Sequence, residues 1–116
     1  MRKVFMLVGL VAALALPTIA LAATLETGKF GDLIAAGDKC PNGAFYHFVN
    51  NQTAENAAPG LLTTSFSSGQ TPANPVSPYM VLKHVQHFSV FSTGTLLTAS
   101  TNLDGKLVLS DIACKK

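Results

Sequence analysis

Asp104-Gly105 stands between two β-rich runs, Thr95–Asn102 and Lys106–Ile112, and nothing else in the chain constrains its fold so locally. Glycine takes a positive φ at little cost, so Asp-Gly between such runs is the chemistry of a tight turn joining antiparallel strands. A hairpin is predicted, in one of two registers. A two-residue loop pairs Leu97 with Ile112 but leaves Leu109 opposite Ser100. A three-residue loop, Asp104-Gly105-Lys106, pairs Leu103 with Leu107 and Leu97 with Ala113, and is preferred because apolar residues then meet.

Other segments carry the same β signature. Ala44–Asn50 is rich in aromatic and β-favouring residues and reads as a strand. Alternation places Phe45, His47 and Val49 on one face and Tyr46, Phe48 and Asn50 on the other. Aromatics on both faces predict a strand central in its sheet. Residues 51–60 are small and polar and read as a loop. Leu61–Ser68 alternates Leu62, Thr64 and Phe66 against Thr63, Ser65 and Ser67, the pattern of a half-buried strand. Residues 69–78 hold Pro72, Pro75 and Pro78, which lack ladder donors, and are expected to be irregular. Tyr79–Phe91 is β-like but long for one strand, so a bulge or break is expected near Lys83-His84. Thr93-Gly94 makes a further turn. Leu33-Ile34-Ala35-Ala36 reads either as one helical turn or as part of a strand, and no amphipathic helix stands out. Five or six short strands predict an all-β fold, a small antiparallel β-sandwich of immunoglobulin-like arrangement, with a small β-barrel as the alternative.

The first 22 residues differ from the rest. Arg2 and Lys3 precede an apolar run from Val4 to Leu16, then Pro17, then Ala20-Leu21-Ala22. That is the layout of a signal peptide cleaved before Ala23. The run is about 13 residues, short of the roughly 20 that span a bilayer. The expected organisation is a signal peptide at 1–22 and a single exported β domain at 23–116, secreted or periplasmic, without a membrane span in the mature chain. The formal charge of +2 belongs to Arg2 and Lys3, because the remainder balances six lysines against six acids. A nucleic-acid partner thereby loses its electrostatic basis. Cys40 and Cys114 are an even count in an exported chain and point to one disulfide. A metal pair or reactive thiols are the alternatives, without a Cys-x-x-Cys spacing to support them.

Residues able to carry chemistry are few. His47, His84 and His87 are the candidate metal ligands. On a strand, His84 and His87 point to opposite faces, so His47 could meet one of them at most. The more ordinary reading gives His47 and His87 hydrogen bonds to strand or loop backbone. No Gly-x-Ser-x-Gly elbow is present, the six acids show no paired spacing, and no phosphate-cradling glycine loop occurs. No catalytic residue, cofactor or enzymatic activity is assigned. Asn51-Gln52-Thr53 matches the N-glycosylation acceptor pattern, with Asn51 in an expected loop. Tyr46 and Tyr79 have a polar end and are the candidates for a recognition surface.

Several stretches together resemble a family of small exported bacterial domains of unassigned activity. They are Cys40-Pro41, the His-Phe-Val-Asn-Asn-Gln stretch at 47–52, Val85-Gln86-His87-Phe88, Leu97-Thr98-Ala99-Ser100-Thr101, Leu107-Val108-Leu109-Ser110 and Cys114. The resemblance spans most of residues 40–114. It implies a β-sandwich whose first and last strand regions are joined by a disulfide, and it transfers no catalytic residue. The expected function is a non-enzymatic binding or structural module at the cell surface or in the periplasm, with a protein or glycan partner recognised through loops 51–60 and 69–78. The alternatives are a periplasmic metal-binding protein using His47, His84 and His87, and a small secreted enzyme inhibitor presenting loop 69–78.

Overall fold

The computed structural model describes residues 23–25, 31–67 and 74–116. The expected signal peptide and residues 69–73 of the proline-rich loop lie outside the described residues. The elements are β1 (Ala23–Thr24), α1 (Gly31–Asp38), β2 (Ala44–Asn51), β3 (Leu62–Phe66), β4 (Met80–Val81), β5 (Val85–Ser92), β6 (Leu96–Thr101) and β7 (Lys106–Cys114). They form two antiparallel sheets, one ordered β1-β6-β3 and the other β4-β5-β2-β7. The sheets pack face to face as an open sandwich, not a closed barrel.

Period-two alternation builds the core. β2 turns Ala44, Tyr46, Phe48 and Asn50 inward, and β5 turns Gln86, Phe88, Val90 and Ser92 inward against them. Leu62, Leu96 and Ala99 close over them from the other sheet, with Leu107 and Leu109 from β7. Burying one such apolar side chain is worth about 1.5–3 kcal/mol, so this interleaving carries most of the stability. As expected, β2 is central, paired with β5 on one side and β7 on the other.

The inner pairings β4-β5-β2 and β6-β3 match the immunoglobulin order, in which the fourth, fifth and second strands adjoin and the sixth flanks the third. The outer strands have exchanged places. β7 lies beside β2, where an immunoglobulin domain has its first strand, and β1 lies beside β6, where it has its last.

That exchange overturns the expected hairpin. β6 and β7 are in different sheets, so neither register forms, and Asp104-Gly105 carries the chain across the sandwich instead. Gly105 has φ +92°, and a Cβ there would run into the Asn51 carbonyl oxygen. The crossing is held by the buried Asn50 and Thr101 and by the Asp104 side chain nearer the surface. Asn50 Nδ2 donates to the Asp104 carbonyl at 2.9 Å, Asn50 Oδ1 accepts from the Thr101 hydroxyl, and Asp104 Oδ1 accepts from Ala54 N at 3.1 Å. A buried Asn can satisfy its amide only by such pairing, and here it fixes the turn.

Two further readings are revised. Residues 31–38 form a helix, longer than one turn, whose Leu33 and Ile34 pack against the end of the core. The break near Lys83-His84 is a full reversal: β4 folds back on β5 with Met80 opposite His87, and Leu82 N donates to Val85 O at 2.7 Å.

Cys40 and Cys114 form the disulfide, with Cα atoms 5.2 Å apart. Cys40 follows α1, and Cys114 ends β7 opposite Ala44, so the bond ties the helix and the entry of β2 to the last strand. Closing a loop of this length stabilises by roughly 4–5 kcal/mol on the chain-entropy account. Removing both cysteines is expected to cost about 2–5 kcal/mol in urea unfolding, and alkylation without reductant should label neither. Gly105→Ala is expected to cost about 1–3 kcal/mol in the same assay, because alanine must adopt a left-handed φ against backbone.

Candidate functional site

The outward face of β2 carries Phe45, His47 and Val49, and its neighbours supply the remaining groups of the site. On β5, His87 lies diagonally from His47, whose direct partner is Ser89. Tyr79, just before β4, is fixed by its N–H donating to His87 O at 3.0 Å.

Asp111 arrives by a less regular route. The β2–β7 register shifts between His47 and Phe48: Leu109 faces Phe48 while Asp111 faces His47, leaving Ser110 as an extra residue. Strict alternation after the buried Leu109 would turn Asp111 toward the core. The bulge turns it outward instead, beside His47, as bulges re-aim side chains elsewhere.

These groups form a chain of contacts. Asp111 Oδ2 lies 3.5 Å from His47 Nδ1, a long and solvent-exposed contact. His47 Nε2 lies 2.9 Å from the Tyr79 hydroxyl and 3.1 Å from His87 Nδ1. The two imidazoles are within 15° of parallel, with centroids 5.3 Å apart. With the His47 Nδ1–H directed at Asp111, which accepts, Nε2 is left as an acceptor, and the Tyr79 hydroxyl donates to it; the tautomer follows from these partners. Phe45, His47, Tyr79, Ser89, Asp111 and Ala113 line an open groove of about 450 Å³. The contacts run Tyr79–His47–Asp111 along the groove floor. Ser89 lines the same groove, yet no hydrogen bond joins it to His47, so a serine triad is not assembled.

The sequence candidates fare unequally. Tyr79 is 58% exposed, as a recognition residue requires, whereas Tyr46 is 1% exposed and is not a surface residue. Tyr46 faces inward on β2, its hydroxyl donates to Gly94 O at 3.2 Å, and its ring meets Phe66 edge-on. Burial, with Asp38 adding to it, raises its pKa above the ordinary phenol value. The three histidines do not converge. His84 sits in the β4–β5 turn with Nδ1 2.9 Å from the Thr53 carbonyl, so it is the backbone-bonded histidine, and His47 and His87 bond to side chains. Among the described residues, no three His, Cys, Asp or Glu side chains are grouped to hold a metal ion. Asn51 is not in a loop: it ends β2, paired with Val85 and Lys106, and the Thr53 hydroxyl of its acceptor triplet is buried without a partner. Loop 51–60 is pinned inward by the buried Gln86, which accepts from Gly60 N at 2.8 Å and donates to Ala58 O at 3.0 Å. The exposed rings are therefore on a sheet face and not in that loop. Asp111 is the residue that sequence reasoning missed, because one extra residue in β7 decides its face.

Comparison with protein-family models, curated proteins and solved structures finds no match to this chain.

Burial, and next to it the neighbouring His47, lowers the pKa of His87 below the ordinary imidazole value. The folded state thus favours neutral His87, and the unfolded chain takes up the proton first as pH falls. This contribution to stability is present above about pH 6.5 and is lost as pH falls from there through the lower folded value. In chelator-treated protein, NMR titration is expected to place the His87 midpoint below 6.5. His47→Gln should raise that midpoint, and an unchanged one would contradict the coupling.

Proposed function

We propose that residues 23–116 act as a non-enzymatic, exported β-sandwich module that binds a protein or glycan of the cell envelope through the outer face of the β4-β5-β2-β7 sheet. The observation that carries this reading is the groove over β2. Phe45 and Tyr79 expose 43% and 58% of their surface there, above a polar floor of His47 and Asp111. Exposed rings beside directional polar groups suit the apolar face of a sugar or a ring from a partner protein, since aromatic residues dominate recognition energetics. The face continues into exposed Met80, which pairs with His87 at the sheet edge.

Export is part of the same proposal. It rests on the layout of residues 1–22, on the disulfide, which belongs to an oxidising compartment, and on the resemblance to small exported bacterial domains. The localisation is the periplasm or the cell exterior.

The test immobilises the protein and measures retention of solubilised envelope proteins and of a panel of envelope glycans. Phe45→Ala and Tyr79→Ala are expected to weaken the retained interaction at least about 10-fold while the thermal melt is kept. Leu97→Ala, on the exposed face of the other sheet, should leave it unchanged. No retained component, or equal retention by the groove variants, would overturn the proposal.

A further inference from the structure

One nitrogen in the groove has more polar neighbours than it can serve. His47 Nε2 offers a single in-plane lone pair once Nδ1 carries the proton that faces Asp111. Two groups nevertheless approach it, the Tyr79 hydroxyl at 2.9 Å and His87 Nδ1 at 3.1 Å. A lone pair makes one strong hydrogen bond, so this arrangement leaves one approach unrewarded. A cation between the three atoms would satisfy all of them.

We propose that His47 Nε2, His87 Nδ1 and Tyr79 Oη form a binding site for a divalent transition-metal cation, with Cu²⁺ the preferred ion. Ligands about 2.0–2.1 Å from a metal stand about 2.9–3.3 Å from one another at square or tetrahedral angles. The two separations from His47 Nε2 fall in that range. The Tyr79 ring centroid lies 5.9 Å from each imidazole centroid, so the phenol stands beside both rings, with its hydroxyl nearest His47 Nε2. Two imidazoles and a phenolate oxygen are an N/O set, which among divalent first-row ions holds copper most tightly. Asp111 lies against the far nitrogen of His47, where a carboxylate orients a metal-ligating imidazole and raises its basicity. The set departs from the three-histidine arrangement because a phenol takes the place of His84. It stands whether or not the same groove binds a larger partner. On coordination the phenol O–H releases its proton to solvent, and copper remains Cu²⁺.

The test is titration of chelator-treated, disulfide-intact protein with copper sulfate at neutral pH, read by calorimetry and visible absorption. One equivalent is expected to bind, with a phenolate-to-copper charge-transfer band. His47→Gln and His87→Gln should each weaken binding at least about 100-fold, and Asp111→Asn about 10-fold, in line with losses of ligand support elsewhere. Tyr79→Phe should abolish the band, and His84→Gln should change nothing. Should His47→Gln fail to fold by circular dichroism, His87→Gln and Tyr79→Phe decide alone. The proposal is overturned if the wild-type protein binds no stoichiometric copper, if the band is absent, if binding survives loss of His87, or if it requires His84.

Discussion

The hydrogen-bond ladders on both sides of β2 set the terms for the rest of the molecule. All eight residues from Ala44 to Asn51 pair with β5, and the same residues pair with β7. A strand held on both edges cannot rotate or slip without turning every side chain to the wrong face. Tyr46 and Phe48 are thereby committed to the core, and Phe45 and His47 to the outside. A one-residue slip would expose two large buried rings, at about 1.5–3 kcal/mol each, and would bury an imidazole. The outward display of rings is a consequence of what the inner face must bury.

Buried amides decide how the chain travels between sheets. Asn50 and Gln86 are fully buried, each at an inward position of the central strands, where a hydrocarbon would serve packing equally well. Asn50 binds the Asp104 crossing and Thr101, while Gln86 binds the backbone of residues 57–60. A net contribution of about 1 kcal/mol per bond is modest beside the apolar core. Its directionality matters more: an unpaired buried amide costs about 1–3 kcal/mol, so any alternative path of these loops is penalised. Asn74 acts similarly at the β3 edge, donating to Thr64 O at 2.9 Å and accepting from Thr64 N at 3.1 Å.

What could be read in the sequence follows from which signals are periodic. β2 and β3 were legible because alternation over several residues specifies both strand and face. The cysteine pair was legible by its even count. Asp104-Gly105 was legible as a reversal but not as a crossing, because local turn chemistry does not say in which sheet the next strand will pair. That choice belongs to Leu107 and Leu109, which complete the core beside β2, and to Asn50, which anchors the turn. α1 was legible only as one helical turn or part of a strand, because Leu33 to Ala36 is too short to display a helical period and Gly31 and Gly37 stand on either side of it. Tyr46 and Tyr79 have the same chemistry, and only the pairing register separates a core ring from an exposed one.

The site shows the same limit at the level of one residue. His47 and Tyr79 were visible candidates, yet what distinguishes their surroundings is the carboxylate of Asp111, placed there by the bulge at Ser110. In a regular strand Asp111 would face the core, where an unpaired carboxylate costs several kcal/mol. The bulge removes that cost and places the acid opposite an imidazole in one step. Ile112, the next residue, is thereby returned to the inner side, where it packs against the core near Gly37. A single inserted residue thus reconciles a charged and an apolar neighbour with opposite needs. The orientation of His47, and with it the direction in which Nε2 points, depends on that reconciliation.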